Sequence, residues 1–301
     1  FPAKLVLELR SLTRKYYDLT DERSAHINKL KGDLHTVFPQ YLDVFCDVTG
    51  KTSTMILRQY GTPDKILRGH KKTMIEKISK ASRKGLAKAS ERYEKLCAAA
   101  NAAKTFGCQI DSIYFNIFLT LDLVEKLDSA LDSILNRIRQ LITFNKNEKF
   151  IQQIKLLNTI PGVGFLTAVT IMCEIGDFSA FRNPKQLFAY FGLDPEVNES
   201  GKFVGTQLHM SKRGSRIARR AIFAVALASI RTKRNGEGIN PYLRKYYELK
   251  SGQKPKMVAI GAVMHKVCNI VFAVLRDEKA FELRSPEEHC KQYQRPALAA
   301  A

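Results

Sequence analysis

The sequence predicts an all-α protein in which a long coiled coil or helical hairpin is joined to a compact helical domain containing a helix-hairpin-helix. Three observations support this prediction. Apolar residues recur at steps of three and four near the start, a heptad pattern occupies the middle, and Asn-Pro pairs and glycines mark helix starts and stops in the remainder. Hydrophobic residues make up 45% of the 301 residues, which is enough to build a folded core.

The first helix is predicted from an apolar stripe that begins at Leu5 and is ended by Pro39. The stripe has a polar gap after Leu19 and resumes at Ile27. Several shorter helices are predicted over residues 51–100, because Gly61, Pro63 and Gly69 interrupt the helical pattern there.

A heptad repeat follows between Ile110 and Leu141. The a positions hold Ile110, Ile117, Val124, Leu131 and Ile138, and the d positions hold Ile113, Thr120, Leu127, Ile134 and Leu141. More than four heptads predict a coiled coil, whose partner helix comes from this chain or from a second subunit. Phe115, Phe118 and Leu119 widen the apolar stripe, so a helix packed on the core of its own domain is the alternative.

Two short helices are predicted on either side of the segment Ile160-Pro161-Gly162-Val163-Gly164. Two glycines allow a tight turn and can leave amide N–H groups pointing outward at a helix N-terminus. Such amides bind phosphate regardless of base sequence, so this helix-hairpin-helix predicts nucleic-acid contacts at Gly162 and Gly164. The alternative is an ordinary helical corner that requires two glycines.

Residues 194–214 lack a clear helical period and are predicted to form a loop, with a short hairpin around Gly205. Ser215 is expected to cap a long helix over residues 216–234. Asn183-Pro184 and Asn240-Pro241 predict further helix starts.

The last helix is predicted from about Pro255 to Arg276. Its apolar run carries His265, Lys266 and Asn269, which favours a buried helix over a membrane span.

The chain carries 49 Lys and Arg against 29 Asp and Glu, a formal charge of +20. A polyanion releases counterions when these groups neutralise its phosphates, so nucleic acid is the first partner to consider and an anionic membrane surface the second. The segment from Lys202 to Lys256 holds fourteen of the basic residues and only two acids. Within it Arg216, Arg219 and Arg220 share one face near a helix N-terminus, which favours phosphate binding over a solvated basic face.

The loop ahead of that helix contains Glu199-Ser200-Gly201. A serine hydroxyl becomes a nucleophile when a base removes its proton or cations stabilise the product anion, and Lys202, Lys212 and Arg213 follow closely. Spacing alone does not favour catalysis, because a Ser-Gly pair is most often a turn. The cysteines and histidines show no metal-ligand spacing, so no metal site is predicted in this chain.

A series of short motifs follows the glycine turn in a recognisable order. They are Phe188-Ala189-Tyr190-Phe191-Gly192-Leu193-Asp194-Pro195, Glu199-Ser200-Gly201, Met210-Ser211-Lys212-Arg213-Gly214, Ala218-Arg219-Arg220-Ala221 and Gly261-Ala262-Val263-Met264-His265-Lys266. In this order they resemble the C-terminal half of the insertion-sequence "one-ten" type transposases. Leu9-Arg10-Ser11-Leu12-Thr13-Arg14 and Phe38-Pro39 resemble the helical segment that follows the RuvC-like N-terminal half of those proteins. The resemblance therefore covers nearly the whole chain.

The resemblance implies a DNA transposase or recombinase of a mobile insertion sequence, with Ser200 as the nucleophile that attacks a DNA phosphate. The residues it implies as phosphate contacts, with their basic neighbours, are Lys202, Lys212, Arg213, Arg216, Arg219 and Arg220. It also implies a structured noncoding RNA as a partner beside DNA, and a homo-oligomer, a dimer or tetramer, formed through the coiled coil. We expect a cytoplasmic protein with no membrane partner.

The family's magnesium-binding acids lie upstream of the Leu-Arg-x-Leu segment, and nothing in this chain matches them. Because the chain also begins at Phe1, we expect that it lacks the RuvC-like half and the magnesium bound there, and that alone it binds nucleic acid without cutting or joining DNA. The predicted division is a helical segment (1–109), the coiled coil (110–148), the serine-bearing transposase domain (149–285) and a tail (286–301).

Two other functions remain open from the sequence. One is a non-catalytic nucleic-acid-binding protein, with the helix-hairpin-helix on a coiled-coil stalk. The other is a purely structural coiled-coil dimer, which would show no steep salt dependence of DNA binding.

Overall fold

The computed structural model describes residues 3–106, 108, 110–146, 148–196, 199–200, 203–204, 209–285 and 287–288, with the backbone alone at residues 106, 199–200 and 203–204. The all-α class is confirmed, and the described strands form one small antiparallel hairpin. In chain order the described elements are α1 (Lys4–Val37), α2 (Tyr41–Val44), α3 (Lys51–Gln59), α4 (Pro63–Arg68), α5 (Lys71–Ser82), α6 (Leu86–Phe106), α7 (Asp111–Phe144), α8 (Lys149–Leu157), α9 (Phe165–Ile175), a 3-10 turn (Phe178–Ala180), α10 (Pro184–Tyr190), β1 (Glu199–Ser200), β2 (Phe203–Val204), α11 (Arg216–Ser229), α12 (Pro241–Ser251) and α13 (Lys256–Asp277).

The chain divides into two compact units. Residues 16–134 form one, here called the insert unit, and residues 1–15 together with 135–301 form the other, here called the motif unit. Both long helices, α1 and α7, contribute residues to both units. The boundaries between the two compact units thus lie inside these two helices, at 15/16 and 134/135. The domain boundaries predicted from the sequence at 109/110 and 148/149 lie between helices instead.

The insert unit places α1 and α7 antiparallel to each other. Arg23 forms an ion pair with Asp128, and the Tyr114 hydroxyl donates to the Val37 carbonyl oxygen at 3.4 Å. The heptad residues of α7 in this unit face inward, because Ile117, Val124 and Leu131 are all buried in the single chain. This is the packing expected of a helix that lies on the core of its own domain, and an oligomer formed through a coiled coil stays a prediction.

The widened part of the α7 stripe is not covered to the same extent. Phe115 is 62% exposed and Leu119 is 46% exposed, whereas Phe118 is partly buried against Gly61. The insert unit therefore leaves part of the apolar surface of this helix exposed to solvent.

The motif unit is built around α13, which packs against α8, α10, α11 and α12. Its length and hydropathy would suit a membrane span, but 56% of its most apolar stretch is buried inside the protein. The predicted buried helix is thus confirmed, with Val263, Val267 and Val271 among its fully buried residues.

Helix starts in the motif unit follow the predicted caps. The side-chain oxygen of Asn183 accepts from the Gln186 N–H at 3.0 Å, and that of Asn240 accepts from the Leu243 N–H at 3.1 Å. The predicted end of α11 at residue 234 is wrong, because the helix ends at Ser229. Beyond it the backbone reverses through Gly236, whose φ of +84° suits glycine.

Candidate functional site

The turn between α8 and α9 is held against the end of α11. Gly162 adopts a φ of +96°, and a Cβ on it would lie 2.7 Å from the Ser229 Oγ and 3.0 Å from the Ser229 N. The Ser229 hydroxyl donates to the Pro161 carbonyl oxygen at 3.0 Å. Gly162 is therefore required by this close approach and by its left-handed conformation.

Gly164 lies in a different environment in the same turn. It is exposed, has ordinary extended dihedral angles as the N-cap of α9, and no heavy atom would come within 4 Å of a Cβ there. The guanidinium of Arg139 lies 6.0 Å from the ring centroid of Phe165, the first residue of α9. An open N-terminus beside a cation is suited to an anion, whereas the use of this turn as a nucleic-acid contact stays a prediction.

The loop before α11 is a hairpin with a hydrogen-bonded base. The Lys212 N–H donates to the Gly192 carbonyl oxygen at 3.0 Å, and the Ser211 N–H donates to the Asp194 carbonyl oxygen at 2.8 Å. The Ser211 hydroxyl also donates to the Asp194 carboxylate at 2.6 Å. Further out, the pairing continues through a bridge between Pro195 and Met210.

The tip of the hairpin contains the predicted nucleophile. Strand β1 pairs with β2 so that Ser200 is opposite Phe203, with residues 201 and 202 between the strands. The described residues thus contain a hairpin, in which residues 199–200 pair with residues 203–204. Gly205, around which the hairpin was predicted, lies outside the described residues. The side chain of Ser200 and all of Lys202 lie outside the described residues.

Two glycines bring the base of the hairpin against the start of α11. A Cβ on Gly192 would lie 2.4 Å from the Gly214 N, and one on Gly214 would lie 2.0 Å from the Tyr190 carbonyl oxygen. Arg219 fixes the same junction, because its Nη1 donates to the carbonyl oxygens of Phe191 at 3.2 Å and Gly214 at 2.7 Å. Part of the Arg219 guanidinium is thus used to hold the protein's own backbone.

The start of α11 rests on a buried carboxylate. The Ser215 hydroxyl accepts from the Ala218 N–H at 3.1 Å, as predicted for an N-cap, and it also hydrogen-bonds to Glu174. Glu174 is 3% exposed and accepts from the Nε and Nη2 of Arg14 at 2.8 and 2.9 Å. Burial raises the pKa of the Glu174 carboxyl, but hydrogen bonds from Arg14 and Ser215 and the charge of Arg14 outweigh it and bring that pKa below its ordinary value.

The first turns of α1 therefore belong to this site. The Arg10 Nε donates to the Cys173 carbonyl oxygen at 2.7 Å, next to the Arg14–Glu174 ion pair. From the sequence, Arg10 and Arg14 were predicted only as part of a motif, and Glu174 had no predicted role. A lone acid in the apolar run of α9 was the available signal, because such an acid requires a partner when it is buried.

The predicted basic residues lie around this junction at differing depths. Lys212, Arg213 and Arg216 are exposed, whereas Arg219 and Arg220 are partly buried. The buried face of α11 includes Ala218, Ile222 and Ala226, while Ala224 is exposed. Five of the predicted basic residues therefore lie in the segment that begins at the hairpin base and ends in the second turn of α11.

The described part of the chain contains no cluster of side chains that would suit a magnesium ion. No group of three or more His, Cys, Asp or Glu side chains there is placed to hold a metal ion. The buried carboxylate of Glu174 is already occupied by Arg14 and Ser215.

Comparison with known proteins gives a consistent result. The model of the family described as "Transposase IS116/IS110/IS902 family" matches residues 154–248, a range that contains the glycine turn, the hairpin and α11. The chain is 23% identical over 286 residues to the "Insertion element IS110 uncharacterized 43.6 kDa protein" of Streptomyces coelicolor, covering 94% of this chain and 66% of that protein.

Two further relatives match more than half of the chain. The "Pilin gene-inverting protein" of Moraxella bovis is 30% identical over 177 residues, covering 58% of this chain and 52% of that protein. The "Transposase for insertion sequence element IS1111A" of Coxiella burnetii is 26% identical over 188 residues, covering 60% and 50%. The matches span about half to two thirds of the length of these relatives. Residues 154–248 are therefore similar to the IS116/IS110/IS902 transposase family, and over nearly all of its length the chain is similar to the IS110 insertion-element protein.

Proposed function

We propose that this protein is a DNA transposase or recombinase of an insertion element, and that Ser200 is its nucleophile. The single observation that carries the proposal is the hairpin of β1 and β2, which has Ser200 at its tip and its base joined to the N-terminus of α11. The names of the relatives, which include a transposase and a gene-inverting protein, support the same reaction class.

In the proposed step the Ser200 hydroxyl oxygen attacks a phosphorus atom of the DNA backbone. A phosphorus–oxygen bond to one deoxyribose breaks as the serine–phosphorus bond forms, the serine proton leaves to solvent or a base, and the departing sugar oxygen takes up a proton. Attack by the hydroxyl of another DNA end on the phosphoserine reverses the sequence, releases Ser200 and joins the new ends. Bond number is conserved, so the exchange needs no external energy source.

The cations near the hairpin have a defined task in this mechanism. The five-coordinate transition state carries extra negative charge on the phosphate oxygens, and guanidinium and ammonium groups stabilise it more than the ground state. Arg216 and Lys212 are exposed near the start of α11, where the helix dipole adds a partial positive charge. Arg219 contributes by holding the two ends of the hairpin together, which limits the positions that the tip can adopt.

A covalent intermediate can be detected directly. The full protein encoded by the gene is incubated with its insertion-element DNA, denatured and resolved by electrophoresis, and the labelled protein–DNA adduct is mapped by mass spectrometry. We expect an adduct on Ser200 that Ser200→Ala abolishes, with DNA binding unchanged. Ser251→Ala, a serine of α12 outside the hairpin, serves as the matched control and keeps the adduct. DNA joining by Ser200→Ala at the unaltered rate would overturn the nucleophile assignment.

The partners follow from the same proposal. We propose a structured noncoding RNA beside DNA, and homo-oligomers that bring two DNA ends together, as the family resemblance implies. The need for magnesium-binding acids from outside the described residues, the inactivity of this chain alone and the cytoplasmic location stay predictions. The non-catalytic alternative is separated by the same assay, since a binding protein would give no serine adduct at all.

A further inference from the structure

A cleft on the motif unit is not used by the mechanism above. It lies between α12, α13 and the segment that follows α13, and encloses a volume of about 410 Å³. That segment is held in place because Glu278 pairs with Lys149 at 2.6 Å and the Phe281 N–H donates to the Thr159 hydroxyl at 2.8 Å. One wall of the cleft is thus fixed by its own contacts and does not need a ligand to form it.

The lining of the cleft contains aliphatic and aromatic side chains. Leu243, Ile270 and Val274 form aliphatic surface, and the rings of Tyr242 and Phe281 lie beside it. Asn269 adds a carboxamide, which can both donate and accept a hydrogen bond. Pockets of 300–1,000 Å³ with this mixture are typical of sites that hold a flat organic group by stacking and a few polar contacts.

Cations stand at the mouth of the cleft. Lys266 and Lys279 both line it and are exposed, and within the described part of the chain neither ammonium group has a carboxylate within ion-pair distance. The carboxylates at the same mouth already have partners, since Glu282 pairs with Arg284 and Asp277 with Arg276. The charge left for a ligand is positive, which favours a group that carries a phosphate.

The basic character continues along α12. The Lys266 Nζ lies 5.4 Å from the ring centroid of Tyr246, and the Lys250 Nζ lies 5.7 Å from the same ring. Two ammonium groups beside one aromatic ring form a surface on which a nucleic-acid strand can place a base and its phosphates. The cleft and this strip share Lys266, so they form one continuous surface.

We propose that the α12–α13 cleft binds one unstacked nucleotide of the protein's nucleic-acid partner, with the base in the apolar cavity and the phosphate at Lys266. This inference rests on the proposed function for its partner class, but the chemistry of the cleft itself is that of any nucleoside phosphate. The base gains apolar and aromatic contacts in place of its stacked neighbours, which offsets the cost of unstacking.

The test uses the full chain with adenosine 5′-monophosphate and deoxyadenosine 5′-monophosphate as probes, followed by saturation-transfer NMR titration. We expect transfer to the base protons of at least one probe. Ala273→Phe fills the cavity and is expected to abolish the transfer, and Lys266→Ala weakens binding about tenfold through loss of the ammonium–phosphate contact. Lys256→Ala removes the same charge from α13 outside the cleft and leaves binding unchanged. Lys266 is exposed, so that variant stays informative if Ala273→Phe does not fold.

A single-stranded oligonucleotide added in excess distinguishes the sources of the nucleotide. Displacement of the bound probe by a DNA or an RNA strand supports the proposal and identifies which strand enters the cleft. Absence of transfer to both probes, or transfer that persists in Ala273→Phe, overturns the cleft proposal even if the chain binds DNA. Probe that stays bound while the same chain binds a strand elsewhere also overturns it, because the cleft is then a site for free nucleotides. Failure to bind any strand, with probe binding intact, instead counts against the proposed function.

Discussion

The turn that joins α8 to α9 contains two glycines that the structure uses in different ways. Gly162 has a positive φ and lies against Ser229, whereas Gly164 is exposed with no neighbour in the way of a side chain. We expect Gly162→Ala to lower the free energy of unfolding by about 1–3 kcal/mol, through backbone strain and the clash with Ser229.

The matched control is Gly164→Ala, which should change stability by less than about 1 kcal/mol. Urea denaturation followed by circular dichroism measures both. Equal losses would mean that the turn does not pack on α11 in solution. Weaker DNA binding in Gly164→Ala at unchanged stability would support a phosphate contact at the start of α9.

Glu174 predicts a pH dependence of stability. Its pKa is below the ordinary value in the folded protein, so its contribution is complete above the unfolded-state pKa of about 4.3 and is lost as the pH falls through the lower folded-state value. Glu174→Gln should cost about 1–3 kcal/mol at pH 7, less than a fully buried pair, because the Arg14 side chain is 52% exposed to water.

The difference between Glu174→Gln and the wild-type chain should shrink as the pH falls below about 4. Glu8→Gln, which removes an exposed acid of α1, is the control and should have little effect at any pH. Denaturation midpoints across the acidic range give the comparison. A difference that grows towards low pH would contradict the ion pair.

At the scale of elements, substitutions in α7 test whether its heptad face packs within one chain or against a second subunit. Ile117 is 2% exposed and Leu119, two residues on, is 46% exposed. Ile117→Ala should cost about 2–4 kcal/mol through loss of packing and the cavity left behind, and Leu119→Ala less than about 1 kcal/mol. In the absence of DNA, thermal unfolding should be independent of protein concentration, since the heptad face is buried in one chain. A midpoint that rises with concentration would favour a coiled coil between subunits.

Helix α11 and the hairpin before it form one mechanical element. Gly192 and Gly214 bring their backbones into contact, and Arg219 hydrogen-bonds to both sides of the junction. The cap residue Ser215 is in turn held by Glu174. The hairpin is therefore attached to a helix whose first residues are held in place by the buried Glu174 carboxylate.

At the scale of the whole molecule, the charge of +20 predicts nucleic-acid binding that depends steeply on salt. The logarithm of the association constant for duplex DNA should fall linearly with the logarithm of salt concentration. Arg216→Gln should reduce the magnitude of that slope by about 1, the loss of one phosphate contact. Fluorescence anisotropy over a range of salt concentrations gives the slope.

Lys72→Gln provides the control for the salt experiment, because it removes one exposed charge from the insert unit. It should leave the slope unchanged if phosphates bind at the start of α11. Equal reductions in both variants would mean that binding is spread over the basic surface, which is the solvated-face alternative.

Local chemistry made most of the helices predictable. The Asn183 and Asn240 caps lie where the Asn-Pro pairs place them, and the breaks at Gly61 and Gly69 separate real helices. The end of α11 was not predictable in the same way. No glycine or proline stands between Ser229, where the helix ends, and Gly236, where the backbone turns. The order of motifs also showed the resemblance to transposases, since it depends on sequence alone.

By itself, then, the sequence determined the helical class, the positions of the caps and the excess of positive charge, because each follows from neighbouring residues or from composition. Its ordered motifs showed the resemblance to transposases. Only the tertiary structure decided that Arg14 reaches Glu174, that Arg219 binds the hairpin base and that the heptad face of α7 is buried within the chain. The reason is distance along the chain. Arg14 and Glu174 are 160 residues apart, and no local pattern encodes which remote side chain will neutralise a buried carboxylate.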